Sequence, residues 1–350
     1  LKIAILGDTH FGARNDLKVF HEFFAKFYVE TFIKHLVDND IKTVFQLGDL
    51  FDRRKYINFF TLSECKKYFF DQLRDNGIIL YTLVGNHDIY WRESLSVNSS
   101  SLVLGEYDNI VVIDKPTQIP TSDTTFAIVP WICPENEAEV IKFISESKAD
   151  ICMGHFEIAG FAMYRGMEAH DGIDRSIFEK FEQVWSGHYH TKSKKENIVY
   201  VGTPAEMTWQ DYADPKGFHT FDTETRNLEF IQNPNTIFAR VEYDDSEGDP
   251  VDLDSLNLKD CYVKLVVVKK TDYYKFDKFI NKLYNKGCYE IKIIEDLSEF
   301  SDGEVGEEIN LEDTVSVLSH YIDSVETDLD KEKVKTFMRT LYTEAINLEV

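Results

Sequence analysis

Five times in the first 190 residues, a short apolar or β-branched run ends in glycine and is followed at once by a side chain able to ligate a cation. The stretches are LGDTH at 6–10, LGDLFD at 47–52, VGNHD at 84–88, MGHF at 153–156 and SGHYH at 186–190. A strand that closes repeatedly on Asp, Asn or His constrains the fold more than any other feature of the chain. In open α/β sheets the crevice outside the carboxyl ends of the strands is where ligands bind.

The rest of the chain agrees with that frame. Apolar runs recur at KIAIL, TVFQL, IILYTLV, IVVI, FAIVPW, ICMG, QVWSG, IVYVG, FHTF and LEFI, several separated by helical patterns. After Asp16 the residues Val19, Phe20, Phe23, Phe27, Phe32, Leu36 and Val37 mostly share one helical face. The alternation predicts an α/β domain of substantial sheets covered by helices, ending near residue 238. With 350 residues, of which 43% are hydrophobic, the chain can bury a large core in two or three units. Five cysteines without a Cys-x-x-Cys pair read as ordinary thiols rather than a disulfide framework or zinc knuckle. No apolar run is long enough for a membrane helix, so the expectation is no membrane association and a cytoplasmic location.

Half of the ten histidines lie in the five stretches. Residues two apart in extended backbone share a face, so Asp8 with His10, and His188 with His190, are expected to aim at one locus. The glycines before Asp8, Asp49, Asn86, His155 and His188 are expected to let the chain turn sharply. Two carboxylates, an amide and four imidazoles, without thiolate, suit two divalent cations such as manganese, iron or zinc. Asp49, on a central strand, is the candidate to bridge them. Each stretch alone has a plainer explanation, a Gly-Asp turn or a hydrogen-bonded core histidine. All five in order, each at a strand end, point to a metal site.

As a set, DTH, GDLFD, GNHD, GH and GHYH resemble the signature series of the calcineurin-like metallophosphoesterases over residues 1 to about 230. The resemblance implies a β-sandwich flanked by helices. It places one ion on Asp8, His10, Asp49 and His190, and the other on Asp49, Asn86, His155 and His188. Two close cations would make a water nucleophilic and neutralise phosphate oxygens during in-line attack on a phosphodiester. His87, outside the ligand set, is then the expected proton donor to the leaving oxygen, and Asp88 either orients that imidazole or holds the turn.

Arg53, Arg54 and Lys55 after GDLFD, Pro130–Trp131 before the fourth stretch and GTP at 202–204 further resemble the SbcD-type recombination and repair nucleases. The compact length is similar to the phage form of that subunit. The resemblance implies a manganese-dependent DNA nuclease with 3′-to-5′ double-strand exonuclease and single-strand endonuclease activity, acting on DNA with an ABC-type coiled-coil ATPase, and a homodimer formed through helices in 19–37 or 59–73. A catalytic domain at 1–238 is expected, then an α/β cap at 239–296 and, at 297–350, an acidic linker with a C-terminal helix pair for the ATPase. Leu311, Val315, Leu318, Ile322 and Val325 line the first of these helices; Val334, Phe337, Met338, Leu341, Tyr342 and Ile346 line the second.

The net charge of -24 runs against a protein that holds DNA by phosphate contacts alone. Residues 1–240 carry 35 acidic against 25 basic side chains, and the last 110 carry 27 against 13. A partner ATPase, bound cations and a local cluster at Lys192, Lys194 and Lys195 would offset that mean charge. Two other functions fit the sequence: a small-molecule or cyclic-nucleotide phosphoesterase on the same scaffold, which needs no C-terminal helix pair, and a non-catalytic binding scaffold, which would tolerate losses among the ligands.

Overall fold

The computed structural model describes residues 1–164, 167–169 and 172–295, with isolated helical positions at 322, 331, 333–335, 337 and 338. Its strands begin with β1 (Lys2–Leu6), β2 (Thr43–Gln46), β3 (Ile79–Leu83) and β4 (Ile110–Ile113). There follow β5 (Thr117–Pro120), β6 (Thr125–Val129), β7 (Ile151–Gly154), the short pair β8 (Ala162–Tyr164) and β9 (Met167–Glu168), and β10 (Gln183–Ser186). The remainder are β11 (Ser193–Lys195), β12 (Ile198–Tyr200), β13 (Gly217–Asp222), β14 (Asn227–Gln232), β15 (Phe238–Asp244), β16 (Tyr262–Lys269) and β17 (Glu290–Glu295).

Two six-stranded sheets form, in the orders β14-β13-β1-β2-β3-β4 and β11-β12-β10-β7-β6-β5. The period of two in their sequences decides the layering. In β1, Ile3 and Ile5 face the second sheet, whereas Ala4 and Leu6 face helices. In β7, Ile151 and Met153 face the first sheet and Cys152 faces the opposite layer. Strands buried on both sides must be apolar at nearly every position, which is why KIAIL and ICMG read as continuous runs. The inter-sheet core joins Ile3, Ile5, Phe45 and Leu83 to Phe126, Ile128, Met153 and Trp185. Removing a leucine or isoleucine side chain from such a layer costs about 2–5 kcal/mol.

The helical layer on the first sheet departs from a simple α pattern. Lys18–Phe27 and Lys34–Asp38 are α-helical, but Tyr28–Ile33 between them widens into a π turn. Phe27 and Phe32 are five apart, an interval that an α-helix places on different faces; i→i+5 bonding brings both into the core. A second helix repeats the device, α at Phe59–Cys65 and Asp71–Asp75 with a π turn at Lys66–Phe70. Tyr28 and Tyr68 stack where the two meet, ring centroids 5.8 Å apart. Val37, expected on the buried face, is 45% exposed. Phe20, Phe24, Phe27, Phe32, Phe69 and Phe70 are core residues, while Phe59 is exposed.

Beyond residue 238 a small sheet of order β15-β16-β17 is parallel throughout, with the helix Tyr273–Tyr284 on it. The sequence reading found β16, this helix and β17 but not β15, whose FARVEYD mixes charge into the strand at the expected boundary. Phe238 and Tyr262 of this sheet pack on Phe20. Near the C-terminus Ile322 is buried and Phe337 exposed. The expected helix residues Leu311, Val315, Leu318, Val325, Leu341, Tyr342 and Ile346, and the acidic segment 297–310, lie outside the described residues.

Candidate metal centre

β1, β2 and β3 run parallel in one sheet, and β7 and β10 run parallel in the other. Their carboxyl ends lie together, and all seven expected ligands converge there. Ligand atoms of Asp8, His10 and His190 lie within 4.8 Å of one another, as do those of Asp49, His155 and His188. Asn86 joins the second group, its Oδ1 2.9 Å from His155 Nε2 and 3.1 Å from His188 Nδ1. Asp49 stands between the groups, with Oδ2 3.3 Å from His155 Nε2 and 3.8 Å from His10 Nε2.

Local geometry differs from the extended backbone expected at the strand ends. His10, Asp49 and His188 themselves adopt positive φ (42°, 51° and 82°). Left-handed backbone at non-glycine residues is costly and persists where the surroundings over-determine it, often at functional sites. Of the five glycines expected to turn the chain, only Gly48 is left-handed, at φ 92°. Gly85 has another purpose: a Cβ there would collide with the carboxylate and backbone nitrogen of Asp49. Close approach of two strand ends, rather than a sharp turn, requires that glycine.

Hydrogen bonds from behind set the rings. His155 Nδ1 donates to the Leu47 carbonyl at 2.7 Å, so in the neutral ring Nε2 presents a lone pair to the site. That lone pair faces the oxygens of Asn86 and Asp49, so three acceptors meet at one point. The arrangement calls for positive charge. Burial lowers the pKa of His155, yet Asp49 and Asp8 overcome it and push it up to about 9. Burial opposes His10 likewise, and Asp52, Asp49 and Asp8 raise it to about 9. Burial lifts Asp8 to about 6, with Asp49 adding to the effect. Asp49 itself is held well below the usual carboxylate range, because His155, His87 and His10 outweigh its burial. Burial and the neighbouring His155 keep His188 uncharged, and burial with His10 lowers His190 to about 3. Oxygen and imidazole acceptors with two buried carboxylates fit divalent cations, which would supply the charge that protons on His155 and His10 otherwise provide.

His87 and Asp88 part company. His87 Nδ1 donates to the Asp52 carbonyl at 2.6 Å, and its backbone N–H donates to Asp49 Oδ1 at 2.7 Å. Asp88, fully buried, accepts from the amides of Gly85 (2.9 Å), Leu50 (3.1 Å) and Phe51 (3.2 Å). Of the two roles expected for Asp88, the carboxylate has the partners of a turn holder; the imidazole of His87 is held by Asp52. Asp52, the last residue of GDLFD, is the member that sequence reading missed. Its Oδ1 lies 3.3 Å from His10 Nδ1, and His10, Asp52 and His87 form a third cluster of ligand-type atoms. Position was the available signal, three residues after Asp49 in a stretch already singled out.

Around the rim, the half-buried Trp131 ring sits 5.2 Å from His188 and 5.8 Å from His155. Arg53 is held by Asp16 and Asn15. The ammonium of Lys192 lies over the Phe230 ring at 3.5 Å, and Lys195 bonds the Gly160 carbonyl.

Comparison with known proteins adds to this geometry. The family described as calcineurin-like phosphoesterase matches residues 1–192. The chain is 33% identical to "Exonuclease subunit 1" of Enterobacteria phage T4, over 99% of both chains. It is 28% identical to "Putative phosphoesterase 078R" of Invertebrate iridescent virus 3, over 58% of this chain and 57% of that one. It is 27% identical to "Putative phosphoesterase 244L" of Invertebrate iridescent virus 6, over 61% of this chain and 73% of that one. A hydrolytic enzyme with strand ends built for divalent cations, the chain belongs to the calcineurin-like phosphoesterase family.

Proposed function

We propose that this chain is the nuclease subunit of a DNA-processing complex, a phosphodiesterase dependent on two divalent ions, most simply manganese. The full-length match to a phage exonuclease subunit carries this reading, because it extends through the small sheet and the C-terminal segment, far beyond residues 1–192. In this reading Asp8, His10, Asp49 and His190 hold one ion, and Asp49, Asn86, His155 and His188 the other. Ions so held supply Lewis acidity toward phosphate oxygens and lower the pKa of water.

The protein's own groups do the rest. His87 Nδ1 is committed as donor to the Asp52 carbonyl, so Nε2 is the atom left to exchange a proton with the leaving oxygen. Asp49 holds the His87 backbone, tying the proton donor to the bridging carboxylate. Asp88 fixes the distance between the loops after β2 and β3, and hence between Asp49 and Asn86. Trp131 walls the His188 side.

The reading includes residues 1–238 as catalytic domain, 239–296 as a cap that selects DNA ends, and 297–350 as the attachment to an ABC-type coiled-coil ATPase. It includes 3′-to-5′ digestion of duplex ends, single-strand endonuclease cleavage and work in the host cytoplasm during recombination or repair. The word "subunit" in the relative's name supports an assembly. A homodimer is part of it; the exposed Phe59 and Phe60 are apolar side chains that the second of the two helices leaves for one.

The test is digestion of end-labelled duplex and single-stranded DNA with manganese, with His87→Ala as control. Cleavage of DNA that disappears in the variant supports the reading. Hydrolysis of p-nitrophenyl phosphate with both DNA forms left intact would overturn it.

A further inference from the structure

Lys216 is an ammonium ion inside the protein, 4% exposed, one residue before β13. Its Nζ donates to Asp211 Oδ1 at 2.7 Å, to Asp214 Oδ2 at 2.8 Å and to the backbone carbonyl of His190 at 2.9 Å. Three acceptors satisfy its three N–H bonds. The His190 carbonyl accepts a second bond, from Thr203 N at 3.1 Å. Asp211 Oδ2 in turn accepts from the amides of Met207 and Thr208, both at 2.9 Å, which closes the turn that carries it.

Buried ion pairs of this kind give little net stability, since desolvation offsets most of the attraction and an apolar residue of similar volume packs as well. Something other than packing therefore accounts for a charge at this place. His155, Asp8 and Asp49 all have side chains bonded to backbone groups: the Leu47 carbonyl, His188 N and His87 N. The His190 imidazole, among the described residues, has a hydrogen-bond contact only with His10 Nε2, at 3.1 Å. It also comes from a loop beyond the end of β10. Its orientation must then come through its backbone, and the groups that grip that backbone are Lys216 and Thr203. Lys216 stands at the start of β13, which pairs with β1, the strand that leads to Asp8. A cation anchored to the sheet thus fixes one ligand relative to another.

We propose that Lys216, clamped between Asp211 and Asp214, is a positioning residue that orients His190 for the ion shared with Asp8 and His10. This rests on the two-ion reading of the site. Support behind a metal ligand is worth about 10- to 100-fold in affinity. Loss of Lys216 therefore affects one of the two ions and leaves the ion at Asn86, His155 and His188 bound.

Manganese titration of the full chain by calorimetry tests it, on wild type, Lys216→Met, His190→Ala and the double variant. The expected result is two ions in wild type. One of them weakens about 10- to 100-fold in Lys216→Met; the same ion weakens in His190→Ala, with little further loss when the two changes are combined. Lys216→Met leaves Asp211 and Asp214 unpaired, so Lys216→Met with Asp211→Asn supplies the same reading if the single variant does not fold. Two undiminished ions in these variants overturn the proposal, and so does equal weakening of both together with a lower melting temperature, the mark of a merely structural role. A wild type that binds no pair of ions refutes the two-ion site itself, a separate outcome.

Discussion

Two aspartates at the carboxyl ends of parallel strands, Asp49 after β2 and Asp245 after β15, show how little position alone decides. Asp245 bonds Thr271 N at 2.6 Å, Thr271 Oγ1 at 2.8 Å, Asp272 N at 2.9 Å and the Tyr243 hydroxyl at 3.0 Å. Its oxygens are saturated by backbone and hydroxyl donors, so it closes the loop that leads into the helix Tyr273–Tyr284. Asp49 accepts one amide, from His87, and turns its other oxygen toward imidazoles from the second sheet. Among the described residues, no opposing strand ends supply the small sheet with such partners. A strand-end carboxylate meets imidazoles where two sheets bring their ends together, and fastens a loop where no opposing ends are found among the described residues.

Substitutions that separate the two carboxylates test this contrast. The largest effect is expected from Asp49→Asn, which removes the charge standing between the two groups of ligand-type side chains. Turnover falls to background in a phosphodiesterase assay, and manganese titration loses both ions. His87→Ala comes next, with a loss of about 10²- to 10⁴-fold in kcat while both ions still bind, as for removal of a general acid. Retained turnover in this variant sinks the role given to His87. Asp88→Ala acts through structure: three buried amides lose their acceptor, and stability falls by about 1–3 kcal/mol in urea unfolding, with activity falling alongside. A variant as stable as wild type but inactive assigns Asp88 to the chemistry instead.

The smallest effect belongs to Asp245→Ala, expected to lower the melting temperature without changing metal binding. Burial raises the Asp245 pKa, but hydrogen bonds from Thr271 and Asp272 outweigh it and hold it below its usual 3.8. A depressed folded-state pKa means that the carboxylate stabilises the fold fully above its unfolded value and ceases to do so as pH falls below it. The difference in melting temperature between wild type and Asp245→Ala should thus be constant near neutrality and shrink below about pH 4. A difference that grows on acidification contradicts the assigned hydrogen bonds.

Much of the fold was legible because strand burial leaves a plain record. All ten apolar runs became strands; in those buried on both faces, such as β1 and β7, residues have little freedom to be polar. Passed over were the two- and three-residue strands β8 and β9, too short to leave a pattern, and β5, β11 and β15, which carry polar residues at alternate or successive positions and lack that record. The π turns were readable only in retrospect, from the five-residue interval between Phe27 and Phe32. In the site, the convergence of Asp8, His10, Asp49, Asn86, His155, His188 and His190 followed from glycine-flanked strand ends. Asp52 and Trp131 lie in stretches already singled out, but their contacts with His10 and His188 depend on the fold. Lys216 has no flag at all, because the His190 carbonyl it bonds is distant in sequence.

The order of apolar runs and the identity of the residues ending them were determined by the sequence itself, since side-chain chemistry and the two-residue strand period are local properties. Which carboxylate meets imidazoles, which meets amides, and which backbone is gripped by a buried ammonium were decided by the tertiary structure alone. Those choices depend on how the ends of two separate sheets are juxtaposed, and hydrogen bonds and charges act across distances that local sequence does not encode.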